Sequence, residues 1–428
     1  MATHPVLEDP RLLRWQRVRE FAVPPTMIKT ATARRLAGDW AGACAAARVD
    51  VDLDLRAVAR RHGQRLAARL RDDLRALAPD LLRWQLPRIA PDGLLRPGLS
   101  IALARYPESP LQLVVRTPPA WAGAGQRLSL ALWEGSPAGA ADHPHPRPNR
   151  RYRLDLHRHL WDAGRSGELR TRSGADRPAT ADAARWPAEA AILLAADGLP
   201  PGPVALRLDS RRHLMLDLTK CQAAVPVRQN AVRDLPVLPD AAVRTPPDLQ
   251  LLRAGLLRPE QLHPLVAAAL APEHRAAAPD PAQDRGDGPR LVDCRGARHR
   301  IGLADGALVA LDHGPEELRR EELLVALGGT PLPCLQFIDQ VHRRPDCLDG
   351  VRERLDHGDT AGALAVVERL LGPDALLRDG PLREELTAAA AGLVTHGLYR
   401  AGLVTPPHLP ASAPRHPARR RPRHASTR

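Results

Sequence analysis

The chain has 428 residues, a formal net charge of +13 and only 3% aromatic residues. That length allows two or three domains, and the shortage of aromatic side chains argues against a base-stacking surface for nucleic acid. All but two of the 62 basic residues are arginine, the lysines being Lys29 and Lys220; neither follows a glycine, which excludes a Walker-type phosphate loop and leaves little room for Schiff-base chemistry.

The N-terminal residues lack the basic-then-apolar pattern of a secretory leader, and no apolar run approaches a membrane span. Arg11 to Ala22 reads as a short helix stopped by Pro24 and Pro25. A second helix carries Met27, Ile28, Ala31 and Leu36, and Gly38-Asp39 then reads as the hinge of a helical hairpin: glycine for a left-handed backbone, aspartate for the next N-cap. Beyond it, Val58, Leu66, Leu70, Leu74, Leu77 and Leu81 recur at helical spacing, so residues 11–90 are expected to form a helical domain.

After Pro91-Asp92-Gly93 the period changes. Leu99–Arg105, Leu111–Arg116 and Arg127–Trp133 have strand length and turn-like borders. A helix is expected around Leu156–Ala163, followed by strands at Ala191–Ala195, Val204–Leu208 and His213–Leu218, giving an α+β domain over 98–220. Recurrent prolines mark 221–289 as a linker enclosing a short helical pair near Leu249–Leu256 and Glu260–Leu270. The region 290–403 reads as three short strands, a helix opened by Pro315-Glu316-Glu317 and further helices. Residues 404–428 form a Pro/Arg/His tail with too few apolar groups to fold. The expected class is multidomain α+β with a disordered basic tail.

The hinge returns near the C-terminus. Arg354 to Ala365 repeats the Gly-Asp step as Gly358-Asp359, followed by Ala361-Gly362-Ala363 and Ala365 in the order of Ala41, Gly42, Ala43 and Ala45. Small residues on the second helix permit close helix packing, as stacked-helix interaction modules require, and supply no nucleophile, base or metal ligand. Trp40, Asp39, Asp359, Arg378 and Asp379 are therefore the candidate interaction surface, and Arg419, Arg420, Arg421 and Arg423 are candidate phosphate contacts in the tail.

Motifs of the common catalytic classes are missing: no Gly-x-Ser-x-Gly elbow, no His-Glu-x-x-His pair and no complete dinucleotide glycine pattern. Three weaker constellations remain. Asp50, Asp52 and Asp54 alternate, but without the glycine and closing glutamate of a calcium loop, so capping or solvation is the expectation. His143, His145, His157 and His159 form two His-x-His pairs near Asp142 and Asp155. Cys294 near His299 could be a nucleophile and base, although a strand cysteine is more often a packed apolar group. The five cysteines stand far apart with no zinc-finger pair, so reduced thiols are expected, and no catalytic, cofactor or metal residue is assigned.

Several blocks carry a family resemblance: the Ala31 to Ala47 core within Met27–Leu55, Pro79 to Trp84, Leu86-Pro87-Arg88, Asp293 to Arg300, Leu311-Asp312-His313 and Arg320 to Gly329. Together these resemble an uncharacterised actinobacterial protein family, some of whose members carry C-terminal ankyrin repeats. The resemblance covers about half the chain and implies no activity. It implies one ankyrin-like unit from Gly358 to Leu382, which departs from the repeat in having only Gly380 between Asp379 and Pro381, and Arg383 where histidine belongs. The resulting expectation is a non-catalytic cytoplasmic protein-interaction or regulatory protein without cofactor. The alternatives are a nucleic-acid-associated protein using its Arg-rich tail, or an unrecognised hydrolase or metalloenzyme.

Overall fold

A computed structural model describes residues 9–135, 143–176, 183–220, 223–273, 290–304, 307–343, 347–371 and 376–403. The fold is multidomain α+β, and the chain divides into two units, Met1–Ala120 with Gln126–Asp280, and Trp121–Gly125 with Pro281–Arg428. Several helices open with proline, where its missing N–H would have no intrahelical partner anyway.

The first unit begins with α1 (Pro10–Phe21), α2 (Pro25–Leu36) and α3 (Trp40–Ala46), then β1 (Val49–Asp52), α4 (Leu55–His62), α5 (Gln64–Ala76) and α6 (Pro79–Gln85). A meander follows in β2 (Ser100–Arg105), β3 (Gln112–Arg116) and β4 (Leu128–Trp133). The sheet order is β1-β4-β3-β2, antiparallel except where β1 joins β4 in parallel, Val49 opposite Leu128. Leu66, Leu70 and Leu74, one turn apart on α5, bury completely or nearly so in the same core as Ile101, Leu113 and Leu130.

The rest of this unit holds α7 (Leu169–Ser173), α8 (Trp186–Ala196), β5 (Pro203–Arg207), β6 (His213–Asp217), β7 (Val225–Val227), α9 (Asp240–Val243), α10 (Pro247–Arg253) and α11 (Pro264–Leu270). Two local expectations change. Ala191–Ala195 lies inside α8, where Ala190, Leu193 and Leu194 form a buried helical stripe; five residues of strand length were too few to show that period. Leu156–Ala163 is a series of tight single turns rather than one helix. The helical pair expected within 221–289 is present as α10 and α11, and both pack into the main core through Leu251 and Val266.

The second unit holds β8 (Arg290–Cys294), β9 (Ala297–Ala304) and β10 (Ala307–Ala310) in an antiparallel meander, then α12 (Pro315–Ala326), α13 (Pro333–Arg343), α14 (Leu348–Asp356), α15 (Thr360–Leu371) and α16 (Pro381–Arg400). Its core joins Ile301, Leu308 and Ala310 of the sheet to Ile338, Val351, Leu355, Ala363 and Val367 of the helices. Both Gly-Asp corners join two helices, with Gly38 at φ 77° and Gly358 at φ 82°. No described helix is long and apolar enough to cross a membrane.

Candidate metal centre

The turn between β8 and β9 is two residues long, and both Arg295 and Gly296 have positive φ, 54° and 83°, the geometry that folds a strand tightly back on its neighbour. It pairs Cys294 with Ala297 and Val292 with His299. Because side chains alternate along a strand, Cys294 and His299 share one sheet face, the face that also buries Ile301. The chain then leaves β10, and Arg300 grips the carboxylate of Asp312 (Nη2 to Oδ1 2.6 Å, backbone N to Oδ2 2.6 Å), fixing the residue beside His313. Those hydrogen bonds hold the Asp312 carboxyl down at about 2.

The fourth side chain is Cys334, in the first turn of α13. Cys294, His299, His313 and Cys334 bring one donor atom each to a single point, all within 4.8 Å of one another, and among the described residues no other group of three or more such ligands converges. Cys294 Sγ lies 3.6 Å from His313 Nε2, Cys334 Sγ 3.9 Å from His299 Nδ1, and the two ring nitrogens are 2.7 Å apart. Both sulfurs are fully buried. Burial, and then the hydrogen bond with Cys294, pushes the Cys334 thiol up. The opposite nitrogen of His313, Nδ1, sits 3.2 Å from Glu317 Oε2. Glu317 and Glu321, one turn apart on α12, also take the two ends of the Arg295 guanidinium at 3.0 and 2.5 Å.

In the sequence Cys294 and His299 stand near each other, but no closely spaced ligand pair points to a metal. The ligands are spread as Cys-x4-His-x13-His-x20-Cys, and only the sheet register and the return of α13 bring them together. The signal that could have found them is the positional one: a cysteine and a histidine on the same face across a two-residue hairpin.

The other candidates have local roles. Asp39 caps α3 through Gly42 N at 2.8 Å and pairs with Arg34 at 3.2 Å; Asp359 does the same for α15 through Gly362 N at 3.2 Å, with Arg354 at 3.0 Å. Asp359 is only 3% exposed, which corrects its placement on a contact surface: the carboxylate is turned inward to the helix start. Trp40 is half-buried against the main core, Arg378 is exposed, and Asp379 pairs with Arg383 at 2.6 Å. Asp50 pairs with Arg127 and Asp54 caps α4, so these carboxylates do not form a cation site. His143 meets the Thr117 carbonyl and His157 the Glu189 carboxylate, in different places. Asp142 and Arg419, Arg420, Arg421 and Arg423 lie outside the described residues.

One further feature was not read from the sequence. An open cleft of about 900 Å3 in the first unit is lined by Arg147, Arg150, Arg151, Arg207 and Arg233. Arg151 is neutralised by Asp240 at 2.6 Å; among the described residues no carboxylate pairs with the other four.

No family model, no curated protein and no solved structure matches the chain.

Proposed function

We propose that this chain is a non-catalytic protein-interaction or regulatory protein acting in the cytoplasm, and that α12 is its contact element. The observation that carries this reading is the exposed apolar end of α12: Leu323, Leu324 and Leu327 are 61%, 49% and 87% exposed, and Val325 beside them is 38% exposed. Lone exposed leucines need no explanation, but a contiguous group on one helix end is the kind of patch that marks a protein-binding surface. The same helix is tied to the β8–β9 turn by ion pairs of Glu317 and Glu321 with Arg295, so the patch is presented on a held support. Its occupant is an apolar face of a partner protein. The ankyrin-like resemblance of Gly358–Leu382 fits this reading as part of an α14–α15 hairpin whose Val351, Leu355 and Val367 share a core with Leu382 of α16, rather than as a repeat array, since stacked repeats need about three units to bury a core.

The test is co-purification from the native host with wild-type chain and with Leu323→Glu/Leu327→Glu. The expected result is one protein lost from the variant and bound again by purified wild-type chain. Equal recovery with both chains, or none with either, would remove the reading.

A second reading, nucleic-acid association, gains support from the arginine cleft in addition to the tail. It predicts DNA or RNA retention that falls steeply with salt, and that weakens when Arg207 and Arg233 become Ala or when residues 411–428 are deleted. Retention unchanged by both alterations would set it aside.

A further inference from the structure

We propose that Cys294, His299, His313 and Cys334 bind one Zn2+ ion as a closed structural site that fastens the β8–β10 sheet to the starts of α12 and α13. Three observations converge on it. The donor set is two sulfurs and two imidazoles, a combination that suits zinc and is foreign to calcium or magnesium, which take oxygen. The spacing fits as well. Zn–S bonds of about 2.3 Å and Zn–N bonds of about 2.0–2.1 Å give a tetrahedron whose S···N edges are roughly 3.5 Å and whose N···N edge is roughly 3.4 Å. The observed S···N separations are 3.6 and 3.9 Å, and the two rings, at 2.7 Å, need part by only a fraction of an ångström.

The third observation is Glu317. By accepting from His313 Nδ1 it fixes the tautomer that turns the Nε2 lone pair toward the sulfurs, the carboxylate–histidine arrangement that orients metal-bound imidazole. The charge balance follows: two thiolates neutralise the dication, with the two thiol protons released on binding. Without an ion, the same space holds four polar groups inside a core otherwise made of Ile301, Leu308, Ala310 and Ile338, where apolar side chains would pack better.

All four coordination positions are taken by protein, so no position remains for a water or substrate, and the role is structural. The same closure removes the Cys294–His299 pair as nucleophile and base, because both would be engaged on the metal. This inference stands apart from the proposed function: metal content can be measured without any partner, and loss of partner binding would leave it untouched.

The test uses the full chain expressed with zinc in the medium. Elemental analysis is expected to find about one zinc per chain, and replacement by Co2+ to give the strong visible absorption of a tetrahedral site with thiolate ligands. Cys334→Ser should lose the stoichiometric metal. Should that variant fail to fold, Glu317→Gln keeps every ligand and is expected to weaken zinc binding about 10- to 100-fold in a competition with a chromophoric chelator. Absence of zinc, a colourless Co2+ form, unchanged affinity in Glu317→Gln, or a Cys294–Cys334 disulfide in freshly purified protein would each overturn the proposal.

Discussion

Gly42 and Gly362 show what a single missing carbon does. A Cβ on Gly42 would fall 2.1 Å from Asp39 Oδ2, and one on Gly362 would fall 2.0 Å from Asp359 Oδ2. In both corners a side chain at the third helical residue would push the capping carboxylate out of the rotamer in which it meets that N–H. Gly42→Ala is expected to destabilise the first unit although alanine is the better helix former, because it displaces a cap worth about 0.5–2 kcal/mol. In an Asp39→Ala background the same change should become stabilising, by up to about 1 kcal/mol; urea midpoints of the four chains give the comparison. The Gly-Asp step was legible in the sequence, as was its repetition, but the close approach of the second glycine to the carboxylate was not, since it depends on where the carboxylate lies. Glu189 offers a second case. Burial opposes its charge, yet hydrogen bonds from His157 and Arg172 hold its carboxyl down at about 2, against an ordinary 4.5. A depressed carboxylate stabilises the fold above its unfolded pKa and loses that contribution as pH falls. The melting temperature should accordingly drop between about pH 4.5 and pH 2 more steeply in wild type than in Glu189→Gln.

Among the elements, α10 illustrates why a proline-rich stretch can mislead. Its sequence context looks like a linker, but Asp248 is completely buried and receives Arg19 Nε at 2.6 Å, Arg19 Nη2 at 3.0 Å and Trp84 Nε1 at 3.0 Å. Those partners lie 229 and 164 residues away, a pairing that no local pattern discloses. Removing the carboxylate leaves a buried guanidinium without its counter-charge, so Asp248→Ala is expected to cost about 3–5 kcal/mol, while Arg19→Met/Asp248→Leu should recover a large part of it. Denaturant unfolding of the three chains decides the matter, and equal losses in the single and double variants would contradict the assignment. The strands of the two meanders were legible because their borders are sharp and their apolar runs short. The α8 helix was not, since Ile192, Leu193 and Leu194 fit either period over five residues. The metal-ligand cluster is the extreme instance: each ligand sits in an ordinary local context, and only strand register and helix return create the site.

On the scale of the molecule, the boundary expected near residue 90 does not separate two independent cores. Leu66 and Leu70 share one cluster with Ile101, Leu130, Leu251 and Val266. A fragment spanning 98–220 is therefore expected to be unfolded by circular dichroism and fully exchanging by hydrogen exchange. A fragment spanning 9–273, by contrast, should unfold in one cooperative transition. An ordered 98–220 fragment would show that the meander needs none of these partners.

The parallel seam between β1 and β4 has a consequence for synthesis on the ribosome. Val49 and Val51 emerge early, but the strand that receives them begins at Leu128, so the nascent chain must carry an unmated edge until its complement leaves the exit tunnel. Slowing translation within that interval should raise the yield of misassembled product, whereas a pause placed only once Trp133 has left the tunnel should be harmless.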